Sequence, residues 1–202
     1  MKGRAQEGTP RADVGIRAFI ALPVPEALHP AIIRVQESLA GAGDVRWIPP
    51  ENWHLTLKFL GNISEDRLRR LTDLLEKVSN SCSQFVIELG GIGAFPNLRR
   101  PQIVWLGVRE GGTAIRELAE AAESAGAQVG FPREKRAFHA HTTLGRVHSP
   151  RGLEELARRL EQVPDEPLGS WQARDLVLMR STLLPSGAVY SVLRRFPLAD
   201  QP

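Results

Sequence analysis

Apolar and polar residues alternate with two different periods along this chain, and the switches between periods mark its elements. Residues 17–22, RAFIAL, form a short apolar run that predicts a strand. In residues 23–41, Pro25 suits a first helical turn and Gly41 a stop, while Pro30 limits how that first turn runs. The prolines of WIPP, 47–50, force an extended turn. NWHLTLKFL, 52–60, then alternates with a period of two. Asn62, with Glu65 three residues on, reads as a helix cap, and Leu68, Leu71, Leu74, Leu75 and Val78 follow at helical spacing. FVIELGGIGAF, 85–95, reads as a strand that ends in glycines.

The second half repeats this plan. Residues 101–108 predict a strand and 113–127 a helix with Ile115, Leu118 and Ala122 on one stripe. Residues 137–146, AFHAHTTLGR, predict a strand, and 151–163 a helix with Leu153, Leu156, Leu160 and Val163 inward. Residues 173–184 and 188–198 are two strands joined by a Pro-Ser-Gly turn. Each half therefore runs strand, helix, His-x-Thr strand, helix, strand, the order of an internal duplication. The expected organisation is one domain, 14–202, made of two pseudo-symmetric lobes, behind a disordered tail at 1–13.

Composition narrows the function classes. With 202 residues, 42% hydrophobic and 24% charged, the chain has the make-up of an ordinary globular protein. No apolar run approaches bilayer length, and the first residues lack the apolar stretch of a secretory signal, so a cytoplasmic location is expected. Cys82 stands alone, which excludes an internal disulfide and a cysteine zinc cage. No large apolar patch stands out, so a monomer is expected. The net charge of +3 allows a nucleic-acid partner without requiring one, and all but four of the 26 basic residues are arginine.

The candidate chemistry lies in the two His-x-Thr strands. Side chains of a strand point alternately to its two faces. In WHLTLKF, alternation groups His54, Thr56 and Lys58 on one face and Trp53, Leu55, Leu57 and Phe59 on the other. In FHAHTTLGR it groups His139, His141, Thr143 and Gly145 against Phe138, Ala140, Thr142 and Leu144. Two such strands side by side about a pseudo-twofold would set His54 and His141 on opposite sides of one cleft. One imidazole can accept a proton while the other donates one, and the threonine hydroxyls can hold oxygens where charge develops. This suits phosphodiester hydrolysis without a metal or other cofactor. A single strand histidine is usually structural, but two matched dyads reverse that expectation. The rival is a metal site using His139 and His141 with His54 or His148, against which stands the lack of a carboxylate near either dyad. A second rival is a protein that binds RNA ends without catalysis.

The segments RAFIALPVPE, RWIPPENWHLTLKFLG, FPNLRRPQIVWLGV, FHAHTTLGR and LVLMRSTLLPSGAVYSVLRRFPL resemble those of the two-histidine phosphoesterase superfamily. Within it they are similar to the RNA 2',3'-cyclic phosphodiesterase (LigT, or 2'-5' RNA ligase) family. One departure is Ala140, where that family often has proline. The resemblance implies a bilobal α+β fold with antiparallel sheets lining a central cleft and helices packed outside. It implies hydrolysis of RNA 2',3'-cyclic phosphate ends to 2'-phosphates, with 2'-5' ligation as a side activity. The RNA would be a tRNA fragment, a decay product or a small cyclic nucleotide. Carried over, His54 is the general acid, His141 the general base, and Thr56 and Thr143 hold the phosphate. Arg146 matches an arginine that follows the second motif, but alternation puts it opposite His141, so reaching phosphate requires a twist or bulge. Lys58, on the face given to His54, is the other candidate for substrate binding.

Overall fold

The computed structural model describes residues 15–185 and 187–200. The expected tail at 1–13 and Ser186 of the predicted turn lie outside these residues. Nine strands and four helices follow in the order β1 (Ile16–Pro23), α1 (His29–Ser38), β2 (Asp44–Trp47), β3 (His54–Ile63), α2 (Glu65–Ser81), β4 (Phe85–Phe95), β5 (Ile103–Glu110), α3 (Gly112–Gln128), β6 (His141–Ser149), α4 (Leu153–Gln162), β7 (Pro167–Ala173), β8 (Asp175–Leu184) and β9 (Gly187–Pro197). No helix among the described residues is long and apolar enough to cross a membrane.

Several boundaries move from their expected places. A 3-10 turn, Glu26–Leu28, follows Pro25 where a first helical turn is expected, but the first α-helix starts at His29, because Pro30 lacks an amide hydrogen and is tolerated only in a first turn. Asn62 is not a cap: it pairs with Arg17 inside β3, and Ser64 caps α2 by accepting from the Arg67 amide. The second dyad strand begins at His141, so 137–140 enter it as irregular chain. Two strands lacked a sequence signal. The first, β2, has four residues; the second, β7, contains Gly169 and pairs on one side only, with β4.

All named strand pairs are antiparallel, in the order β7-β4-β5-β6-β3-β1-β8-β9, with β2 added to β6. The two dyad strands, β6 and β3, sit side by side at its centre, and each is flanked outward by the strand that opens its half, β5 and β1, as an internal duplication would place them. The two halves of this curled sheet meet there through one residue pair, Leu55 opposite Thr142. One apolar core gathers α2 and α3 under β1, β3 and β8, with Leu71, Leu75, Ile115, Leu118, Leu55 and Ile20 buried within it. The other gathers α1 and α4 under β4, β5 and β6, with Ile32, Leu156, Leu160, Leu89, Leu106 and Leu144 inside. The bilobal α+β architecture is thus as expected, but the lobes are not the chain halves. The helix α1 of the first half packs in the second core, and α3 of the second half packs in the first.

Candidate active site

The one ladder pair between β3 and β6 sets the site. With Leu55 opposite Thr142, one step along each strand puts His54 across from Thr143 and Thr56 across from His141. Leu55 and Thr142 are fully buried toward the helices, whereas the four dyad residues are partly exposed on the opposite face. A two-by-two array of alternating imidazole and hydroxyl results. On its flanks, Ala21 and Pro23 of β1 lie opposite Thr56 and His54, and Gly107 and Trp105 of β5 lie opposite His141 and Thr143. Among the described residues neither the Thr56 nor the Thr143 hydroxyl is committed to another group, so both are free to donate to a ligand.

Both imidazoles are held in the same way. His54 Nδ1 is 2.7 Å from the carbonyl oxygen of Asn52, and His141 Nδ1 is 2.7 Å from that of His139. A carbonyl only accepts, so each Nδ1 carries a proton and each Nε2 is left with the lone pair for chemistry. His139 and Asn52 thus do the same job through their backbones. Their side chains differ: Asn52 Nδ2 donates to Ala188 O at 3.0 Å and ties down the β8–β9 hairpin, whereas the His139 ring lies 4.7 Å from that of Trp105. A backbone acceptor leaves no mark in a sequence, which is why this role could not be read there. Rings fix the imidazoles further. Phe19 and Tyr190 stand 4.7 and 5.2 Å from His54, and Phe95 stands 5.0 Å from His141.

Burial disfavours the charged form of each histidine. It pushes His54 down to about 4, against the opposing hydrogen bond to Asn52 and with help from the nearby charge of His141. His141 is lowered too, first by burial, while its hydrogen bond to His139 opposes and the charges of His139 and Arg146 assist.

The two remaining sequence candidates part company, and the cause is the same bulge in each dyad strand. The β1 partner of Thr56 is Ala21 and that of Lys58 is Ile20, so Leu57 is an extra residue in β3. The β5 partner of Thr143 is Trp105 and that of Gly145 is Val104, so Leu144 is an extra residue in β6. Both bulges sit three residues after the histidine. Each reverses the alternation that follows. Arg146 is thereby turned to the site side, exposed, where its charge acts on His141. Lys58 goes the other way, against the grouping expected from alternation. It is buried beneath the sheet, with Nζ 2.6 Å from Glu123 Oε2 and 3.1 Å from Pro132 O. Phe59 takes its place on the site face, 67% exposed, with its ring 5.9 Å from that of Phe19. The β6 bulge is pinned from α1 and the β2 end: Gln36 Nε2 and the Ile48 amide both donate to Leu144 O.

Among the described residues no three His, Cys, Asp or Glu side chains are grouped so that they could hold a metal ion. In the HAH pair of the rival metal reading, the His141 imidazole belongs to the dyad array, while the His139 ring lies tilted against the Trp105 indole, 6.0 Å from that of His141.

Known proteins resemble the chain over about nine-tenths of its length. A family model described as LigT like Phosphoesterase matches twice, at residues 22–105 and 106–190. An RNA 2',3'-cyclic phosphodiesterase of Methanothermobacter thermautotrophicus is 34% identical over 91% of this chain and 99% of its own. One of Archaeoglobus fulgidus is 36% identical over 90% and 99%. Among solved structures, a Thermus thermophilus protein superposes with a TM-score of 0.77 at 28% identity, covering 93% of this chain and all of its own. E. coli LigT complexed with 3'-AMP gives 0.75 at 27% identity, over 92% and 99%.

Proposed function

The chain belongs to the LigT-like phosphoesterase family, and from that premise we propose that it hydrolyses 2',3'-cyclic phosphate ends of RNA to 2'-phosphates without a metal. The observation that carries this reading is the crossed array of His54, Thr56, His141 and Thr143 about one residue pair. In-line opening of a cyclic phosphate needs a base and an acid on opposite sides of phosphorus, and a twofold-related pair of imidazoles supplies them.

In the proposed mechanism the cyclic phosphate sits over Leu55 and Thr142, its two non-bridging oxygens accepting from the Thr56 and Thr143 hydroxyls. His141 Nε2 takes a proton from water, and the oxygen attacks phosphorus. The bond to O3' breaks on the far side, and His54 Nε2 gives its proton to that oxygen. His141, lowered in pKa, is neutral at pH 7 as a base must be. His54 is also neutral in the empty site, so it must take up a proton from solvent as the anionic substrate binds. Arg146 adds positive charge on the His141 side. Joining RNA ends through a 2'-5' bond is the same ring opening with an RNA 5'-hydroxyl in place of water: His141 takes its proton, its oxygen attacks phosphorus, and O3' leaves with the proton of His54; we assign it as a side activity.

The decisive experiment incubates the protein with EDTA and an oligonucleotide that ends in a 2',3'-cyclic phosphate. The expected product is a 2'-phosphate at an undiminished rate. A 3'-phosphate would reassign the leaving oxygen, and loss of activity restored by added metal would overturn the mechanism. Tight binding without turnover would leave an RNA-end binding protein instead.

A further inference from the structure

Lys58 sits four residues after His54, yet its ammonium lies on the helix side of the sheet. It reaches α3 through a slot opened by Gly126, where a Cβ would collide with Lys58 Cε. It is 4% exposed, and such a charge is retained only when paired and hydrogen-bonded. Its partners all bear on the segment that leads into the second dyad. Glu123 Oε2 accepts from Lys58 at 2.6 Å and from the Glu134 amide at 3.3 Å, and Pro132 O accepts from Lys58 at 3.1 Å. Arg133 Nη2 donates to Ser124 Oγ of the same helix. From there residues 137–140 run as irregular chain, packed by Phe138 and Ala140 on the first core, to the His139 carbonyl that orients His141.

We propose that the buried Lys58–Glu123 pair is a positioning device for His141. It anchors the 131–140 segment to the strand of the other histidine, so that the His139 carbonyl is presented at the correct place. The bulge at Leu57 is what makes this possible, since unbroken alternation would leave Lys58 in the cleft. One strand then carries both a member of one dyad and the anchor of the other. This inference rests on His141 being a working group of the proposed reaction.

The test separates positioning from plain structural support. Replacing both members of a buried ion pair by apolar residues is often neutral for stability, whereas removing one strands a charge. Lys58→Met, Glu123→Gln and Lys58→Met/Glu123→Met are compared by urea unfolding, by kcat and KM for a 2',3'-cyclic nucleotide, and by amide hydrogen exchange. The single variants are expected to lose stability and the double variant to regain it. In all three, kcat is expected to fall about tenfold with KM within twofold, as for a reacting group slightly misplaced. Exchange should quicken at 133–141 while α3 stays protected. A double variant that regains stability and also hydrolyses at the wild-type rate would overturn the proposal, as would unchanged exchange at 133–141. His141→Ala serves as the reference: if it retains full activity, the mechanism fails, and the exchange data still decide whether the anchor exists.

Discussion

The proton on His54 decides whether this histidine can act as the acid. In the empty site its pKa is about 4, so protonating it at pH 7 costs about 4 kcal/mol, against under 1 kcal/mol for an ordinary imidazole. A singly charged phosphate about 4 Å away, at an effective dielectric of about 20, returns about 4 kcal/mol. Occupation by phosphate should therefore lift His54 from about 4 to near 7. The measurement is an NMR titration of the His54 ring nitrogens, without and then with saturating 2'-AMP, whose monoester phosphate carries between about one and two charges and so should lift His54 at least this far. By reciprocity, the ligand should bind more tightly as His54 takes up its proton. If the His54 pKa remains near 4 in the saturated complex, His54 cannot be the acid at neutral pH, and the two roles must be exchanged.

Other outcomes follow from the same geometry. His54→Ala and His141→Ala should each lower kcat by about 10²–10⁴-fold with the fold retained, since each strand keeps its buried face; circular dichroism and single-turnover rates check both. The folded pKa of His54 lies below its ordinary value of 6.5, so its contribution to stability is present above 6.5 and lost as pH falls toward 4. Between pH 7 and pH 4 wild type should thus lose about 3 kcal/mol more than His54→Gln in urea unfolding. Thr56→Val and Thr143→Val should each lower kcat by about 10–100-fold by removing one phosphate donor. Arg146→Ala should raise KM and, by removing a positive charge that lowers His141, move the acid limb of the kcat profile, where bound substrate has lifted His54, to higher pH.

Most of the element order and both dyads were legible in the sequence, because period and motif are local properties. Facing was legible only as far as Leu57 and Leu144. A bulge is a property of pairing with a neighbour strand, and nothing in LTLKF or TTLGR marks the extra residue. The need for a bulge at Arg146 could be argued from its motif position, yet the matching one that removes Lys58 from the cleft was not seen. Asn62 failed as a cap for a similar reason: the buried Ile63 carries the strand past it, and Ser64 was equally eligible by type. The distribution of helices between lobes was also invisible, since it depends on which core each crossover reaches.

That distribution has a consequence for synthesis. The strand β1, made long before β8, has it as one sheet neighbour, with Ala18 paired to Arg180. Until β8 is made, one edge of β1 is an open row of hydrogen-bonding groups beside apolar Phe19 and Ala21. The nascent N-terminal half therefore cannot complete itself and must wait, tended or at risk of pairing with a neighbour's strand. Two truncated copies stopped before β8 would have an obvious way to satisfy each other, by exchange of strands, and a chain interrupted there should accumulate as oligomers rather than as a folded half.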